Sequence, residues 1–291
     1  IFVIFNRGDF KSKAGFFDEK SFWLLGIEGA ETFKALEGKQ FEAKKRFDDG
    51  RYYILSANEG KVDEIKSVFD CGPLGYLSLA AHGHADAMSF TLSVGGREFI
   101  VDPGTYAYHA QKKWREYFRG TSAHNTIRID KENQSVSGGN FMWLKKAQAR
   151  LIDFEDNENI CRVKAEHEGY KRLSDPVVHR REMAFDKIKH HFKIIDSISA
   201  KKSHFIEQCF HFSRDCEVVQ SGENEFTVKN GDVCIILFLD DKLKSELYKG
   251  SFDPIFGWES KRFDVKQETI TLVNSCEING KSEFITQIIV K

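Results

Sequence analysis

Residues 89–102, SFTLSVGGREFIVD, decide the fold class. Polar and apolar residues alternate through SFTLSV, Gly95-Gly96 interrupts them, and REFIVD returns. Glycine pairs take up the positive φ values of a tight hairpin turn, so the segment reads as two antiparallel strands. Working outward, Asn230-Gly231 separates EFTV from VCIILFL, and Asn279-Gly280 separates TLVNSCEI from EFITQIIV. Each predicts another hairpin. Polar breaks at FEDNEN (154–159) and FDKIK (185–189) predict longer turns, with Phe-rich strands around REMAF and HHFKIIDSI. Twenty-six Phe and only four Pro suit a large sandwich core. The expected fold is all-β: a large antiparallel β-sandwich, a supersandwich in extent, over residues 46–291. Residues 1–45 read as a connecting segment, partly helical, with a short helix in IEGAETFKALEGK (27–39) closed by Gly38.

The chain has 291 residues and a formal net charge of −1. That balance lacks the basic excess of a general nucleic-acid binder, while a local basic cluster would suffice for an acidic sugar. With 41% hydrophobic and 30% charged residues it reads as globular. It has no apolar run long enough for a membrane-spanning helix. IFVIFNRGDFKSK at the start lacks the layout of a signal peptide and begins inside an apolar run, which reads as an internal start. The six cysteines form no CxxC pair and read as free thiols in a reducing compartment, favouring the cytoplasm over the periplasm.

Chemistry concentrates in residues 71–145. His82 and His84 are two apart in HGHAD; on a strand they share one face. A hairpin symmetrical about Gly95-Gly96 sets Asp102 near Met88-Ser89, hence near His84. His124 follows in SAHNT. Two imidazoles and a carboxylate, His84, His124 and Asp102, suit Zn²⁺ with a fourth position open. A bare HxH is weak by itself, and Asp102-Pro103-Gly104 also reads as a turn. Arg119 in YFRGTSAHNT suits a bidentate clamp on a uronate carboxylate, beside Tyr117 and Arg115. Asn125 suits ligand orientation or a strand cap. Tyr106, Tyr108 and Trp114 suit sugar stacking or core. His211, between two Phe, reads as a buried histidine with a backbone bond.

The strings HGHADAMSFTLSVGGREFIVDPGTYAYH and WREYFRGTSAHNT resemble the central signature of heparinase II/III-type polysaccharide lyases, a group that includes oligoalginate lyases and related proteins of exopolysaccharide gene clusters. Softer echoes follow in VVHRREMAFD (177–186), IIDSI (194–198), EQCFHF (207–212) and GWESKRF (257–263). The resemblance implies a C-terminal sandwich whose partner, an N-terminal α/α-toroid of the same gene product, supplies a catalytic Tyr and a side chain that neutralises the uronate. It implies a mainly structural zinc on His84, Asp102 and His124. It implies that His82 faces an acidic polysaccharide and takes part in β-elimination, and that this segment alone is inactive. Two other classes remain open. One is a non-catalytic carbohydrate-binding sandwich. The other is a cupin-type metal enzyme, disfavoured because no Glu follows HxH at cupin spacing.

Overall fold

The computed structural model describes residues 3–39, 43–76 and 78–291. They form two compact units, Ile1–Lys44 and Lys45–Lys291. The first is helical. Asp18 caps a helix over Glu19–Ala35 by accepting the Ser21 amide at 2.8 Å. That cap starts the helix eight residues before the expected 27–39 segment. The chain turns extended at Leu36, so Gly38 lies beyond the helix, and Gly26 at φ 64° breaks it internally. A shorter helix spans Gly8–Ala14. Among the described residues no helix is long and apolar enough to cross a membrane.

The second unit is an all-β sandwich. One layer is an eight-stranded antiparallel sheet, in spatial order Glu217–Gly222, Glu225–Asn230, Val233–Phe238, Ser282–Val290, His191–Ser199, Val178–Asp186, Ile160–His167 and Ala149–Asp156. The facing layer joins two sheets. Five strands run Arg46–Phe47, Tyr52–Ala57, Ile65–Asp70, Phe90–Val94 and Arg97–Ile100; four run Lys244–Lys249, Ile270–Asn279, Ser203–His211 and Ile127–Ile129. Ile127–Ile129 covers only part of Ser203–His211. Beyond its end the Ile100–Phe212 bridge and the Val101 amide on the His211 carbonyl (2.9 Å) sew the two sheets together.

Alternate residues of each long strand point inward, as period-2 patterning requires. Val178–Asp186 and His191–Ser199 bury every second side chain. Met183, Phe185, Phe192, Ile194, Leu237 and Ile288 meet Leu55, Phe69, Phe90 and Leu92 of the facing layer in one core. The Phe185 and Phe192 rings stack at 4.1 Å. Each such side chain contributes roughly 1.5–3 kcal/mol on burial.

Three of the expected turns hold. Gly95 and Gly96 take φ 57° and 74° between Val94 and its partner Arg97. The breaks at 154–159 and 185–189 join paired strands. Asn230 pairs with Val233, so the second turn is Gly231-Asp232, one residue later than read. Asn279-Gly280 does not make a hairpin. Ile270–Asn279 and Ser282–Val290 belong to opposite layers, and the turn carries the chain across the core. Both strands have an apolar inner face, and crossing lets each cover its own sheet.

Candidate metal centre and active site

HGHAD (82–86) lies in a loop between Ile65–Asp70 and Phe90–Val94, not on a strand as expected. The strand pattern fails because the loop is held from outside. Ala85 donates to the Arg119 carbonyl (2.9 Å), and the Thr121 hydroxyl donates to the Ala85 carbonyl (2.9 Å). Thr126 and Gln134 donate to the Ala87 carbonyl at 3.1 and 3.0 Å. Met88 takes a left-handed φ of 61°. His82 and His84 nonetheless line one cavity of about 590 Å³.

His124 follows a 3₁₀ turn over Thr121–Ala123 and is fully buried. Its Nδ1 lies 2.8 Å from Asp102 Oδ2, and its ring centroid is 5.3 Å from that of His84. Asp102 Oδ1 accepts the Gly104 amide at 2.8 Å. Leu92 pairs with Ile100 and Ser93 with Glu98, a bulge that carries Asp102 one position past the symmetrical hairpin, toward Phe90. The sequence-predicted trio of His84, Asp102 and His124 is thus brought together.

The geometry also brings in Asp86, which sequence reasoning passed over. Donor atoms of His84, Asp86 and His124 all lie within 4.8 Å of one another. The signal was present: Asp86 stands two residues after His84 in HGHAD. Asp102 instead occupies the Nδ1 side of His124, the position of a carboxylate that orients a ligating imidazole. His124 Nε2 is buried and has no hydrogen-bond partner among the described residues. An orphaned buried nitrogen is rare and costs about 1–3 kcal/mol. A metal ion facing His84 and Asp86 removes that cost, so the donor set fits zinc.

Charge agrees with a cation site. The cavity is lined by Asp49, Asp70, Asp86 and Asp102, with no Lys or Arg among the described residues. Burial pushes the Asp86 carboxyl up to about 7; His124 opposes the rise, and Asp70 and Asp102 add to it. Burial, with Asp102 nearby, lifts Asp70 to about 6 against the Gly72 amide. Desolvation also acts on Asp102, but the charge and hydrogen bond of His124 outweigh it and hold the carboxylate at about 2. Burial, and next the His124 charge, pull His84 down to about 3, leaving it neutral and able to ligate.

A buried ionic network underlies the site. Arg181, within the VVHRREMAFD echo, donates from Nη1 to the carbonyls of Met88 (2.9 Å) and Asn125 (2.6 Å). Its Nε and Nη2 grip Asp196 at 2.7 and 2.8 Å, and Asp196 also takes His179 Nε2 at 2.7 Å. All three side chains are fully buried. The eight-stranded sheet thereby clamps both segments that carry the candidate metal donors.

Three expected substrate contacts are corrected. Arg119 is 2% exposed; its guanidinium donates to the carbonyls of Gly139 (2.6 Å) and Met142 (3.3 Å) and lies over Trp143. It braces the hairpin of Val136–Gly139 and Met142–Lys145 and cannot clamp a sugar. Tyr117 is buried in an aromatic cluster, and burial pushes its hydroxyl pKa up. Asn125 is fully buried, donates to the Phe90 and Val101 carbonyls (2.8 Å each) and accepts the His211 amide. It ties strands together. These residues are near the site in sequence, but Asn125 and the Arg119 Nη atoms are spent on backbone, and the Tyr117 hydroxyl is buried. His211 is buried as expected, on the Ser122 carbonyl at 3.1 Å. His82 alone of the expected sugar-facing residues is exposed, its ring 5.5 Å from Tyr108 and 6.4 Å from Phe141.

Comparison with known proteins gives one family. Residues 40–287 match the family described as heparinase II/III-like, C-terminal. A heparin-sulfate lyase of Bacteroides thetaiotaomicron is 28% identical over 193 residues, 64% of this chain and 25% of that protein. One from Pedobacter heparinus is 25% identical over 169 residues, 56% of this chain and 23% of that protein. The region matched is thus about a quarter of these relatives' length. A heparinase III structure superposes with a TM-score of 0.72 at 20% identity, covering 92% of this chain and 40% of that one. A heparan sulfate lyase of Pedobacter heparinus gives a TM-score of 0.72 at 18% identity, covering 97% and 42%.

Proposed function

Because the chain belongs to the heparinase II/III-like family through its C-terminal domain, we propose that the full-length protein cleaves a uronic-acid-containing polysaccharide by β-elimination, with His82 acting on the sugar. The observation that carries this reading is the exposed His82 at the mouth of the cavity that also holds His84, Asp86 and Asp102. The heparin-sulfate lyase relatives support the reaction class, and their greater length supports a further domain, an N-terminal α/α-toroid, that completes the site.

Elimination removes the C5 proton, forms the C4–C5 double bond with that electron pair, and breaks the C4–O bond to the leaving sugar. His82 takes the proton or pairs the carboxylate beside it. The leaving oxygen receives its proton from an acid of the toroid. An acidic cavity repels a uronate unless cations offset its carboxylates. His84, His124 and Asp86, with Asp102 orienting His124, would hold zinc, which would supply fixed positive charge beside the HGHAD loop from which His82 projects. Arg119, Tyr117 and Asn125 serve this site only by holding its frame. The family match leaves no support for a cupin-type enzyme.

The test uses the full-length protein. His82→Ala should lower formation of the ultraviolet-absorbing unsaturated uronate about 10²–10⁴-fold, with zinc content unchanged. Unchanged activity, or loss of zinc together with activity, overturns the assignment of His82.

A further inference from the structure

One singled-out motif has no part in the chemistry above. GWESKRF (257–263) forms a strand, Trp258–Arg262, which turns back into Val265–Glu268. That hairpin docks beside the metal centre. The Ser260 amide donates to the Pro103 carbonyl at 2.7 Å, and Ser260 bridges Gly104 in parallel. A second cavity, about 250 Å³, opens there, lined by Gly104, Thr105, Tyr106, Tyr108, Arg262 and Phe263 among others. Thr105 lines both cavities, and its hydroxyl lies 3.5 Å from His84 Nε2. The two cavities adjoin at Thr105, the second forming a groove along the 257–263 strand.

The groove has the two features an acidic pyranose requires. First, an aromatic strip runs along it. Tyr108 stacks between Phe141 (6.1 Å, 22°) and Phe263 (5.6 Å, 21°), with the His82 ring edge-on to Tyr108 at 5.5 Å. Phe263 is 64% and Phe141 42% exposed, unlike the Phe side chains of the core. Second, a cation is left free. Lys261 is taken by Glu98 at 2.6 Å and Glu259 at 3.5 Å, and Arg214 pairs with Asp215. The neighbouring Arg262 is exposed, and among the described residues its guanidinium has neither ion pair nor hydrogen bond.

We propose that this groove is a sugar subsite one or more residues along the chain from His82, where Arg262 pairs an acidic substituent and the exposed Phe263, backed by Tyr108, carries the apolar face of a pyranose. A guanidinium matches carboxylate and sulfate alike, so the shared chemistry is a monoanionic oxygen group on a sugar. Aromatic faces suit the axial C–H surface of the ring. The division of labour follows from charge. The first cavity carries four carboxylates and binds sugar close to the metal centre, whereas the second supplies the positive charge that the first lacks. The proposal rests on the lyase reading above.

The experiment is done in the full-length protein with Arg262→Met, Arg262→Lys and Phe263→Ala. Each is assayed on disaccharide and tetrasaccharide substrates of two kinds, an unsulfated polyuronate and a sulfated uronate-containing glycan. Arg262→Met should raise KM for tetrasaccharides about tenfold, leaving kcat and the disaccharide KM within about twofold, and should flatten the salt dependence of tetrasaccharide binding. Arg262→Lys should recover part of the loss. A loss confined to the sulfated glycan identifies sulfate as the group bound; equal losses identify carboxylate. Unchanged tetrasaccharide KM in Arg262→Met, equal losses for both lengths, or a lowered Tm with unaltered KM in Phe263→Ala would each overturn the subsite. If the wild type cleaves neither glycan, the lyase reading fails and the subsite falls with it; if the wild type cleaves and the variants match it, only the subsite falls.

Discussion

Asp196→Asn should destabilise the sandwich by about 3–5 kcal/mol, the cost of leaving a buried charge without its partner. The side chain is isosteric, so packing is preserved while the charge is removed. In the native protein Asp196 accepts four hydrogen bonds: Arg181 Nε (2.7 Å) and His179 Nε2 (2.7 Å) on Oδ1, Arg181 Nη2 (2.8 Å) and Gln208 Nε2 (3.0 Å) on Oδ2. No water reaches the Arg181 guanidinium to replace the lost charge, because the whole side chain is buried. Against a domain stability of about 5–15 kcal/mol the loss is large. Burial works to raise the Asp196 pKa, but Arg181 and His179 outweigh it and hold it far below the ordinary carboxylate range. A depressed pKa contributes stability that is fully present above the ordinary value near 4 and is lost as pH falls toward the native one. The variant should therefore be weaker throughout neutral pH, and its acid limb flatter. Urea unfolding with chelator and with zinc separates the two consequences. The loss with chelator measures the network. A further loss with zinc measures how far Arg181, through the Met88 and Asn125 carbonyls, holds the donors in place. Replacing both partners, Arg181→Met with Asp196→Leu, should restore most of the stability but not the zinc affinity. A single-variant loss below about 1 kcal/mol would refute the reasoning.

Two further predictions concern the carboxylates beside His124 and a second histidine held by carboxylates. Asp86→Asn should weaken zinc binding more than Asp102→Asn, which should cost about 10–100-fold as an orienting group does; competition with a chromophoric chelator measures both, and an unchanged affinity in Asp86→Asn would return Asp102 to the ligand set. His204 sits between Asp130 (2.7 Å) and Asp175 (3.1 Å); burial opposes its cation, but the two carboxylates prevail and raise its pKa above the ordinary value near 6.5. Its contribution should be fully present below about pH 6.5 and fade as pH rises through the native pKa, so Tm against pH should flatten in His204→Gln, and parallel curves would count against it.

The sandwich was legible because period-2 burial and turn dipeptides are local. Gly95-Gly96 needs no distant partner to announce a hairpin. Asn279-Gly280 carries the same local signal, yet joins opposite layers, because only the partner strands Ser203–His211 and His191–Ser199 decide which sheet each arm enters. The site shows the same division. The nearness of Asp102 to His84 could be read from the hairpin, which limits where its arms lie, whereas His124 joined them through the resemblance of the central motif. The roles of Arg119, Tyr117 and Asn125 could not be read, because exposure is set by the 136–145 hairpin and by strands far along the chain. Asp86 was missed for a related reason. Reading HGHAD as a strand places residues 82, 84 and 86 on one face, and attention then falls on the imidazoles. The loop instead turns His82 outward and leaves His84 and Asp86 beside His124, and what bends it is hydrogen bonding from Thr121, Thr126, Gln134 and Arg181. Every one of those donors lies outside the motif. The motif thus states which side chains are present, while residues outside it decide which of them gather around His124 and which faces outward.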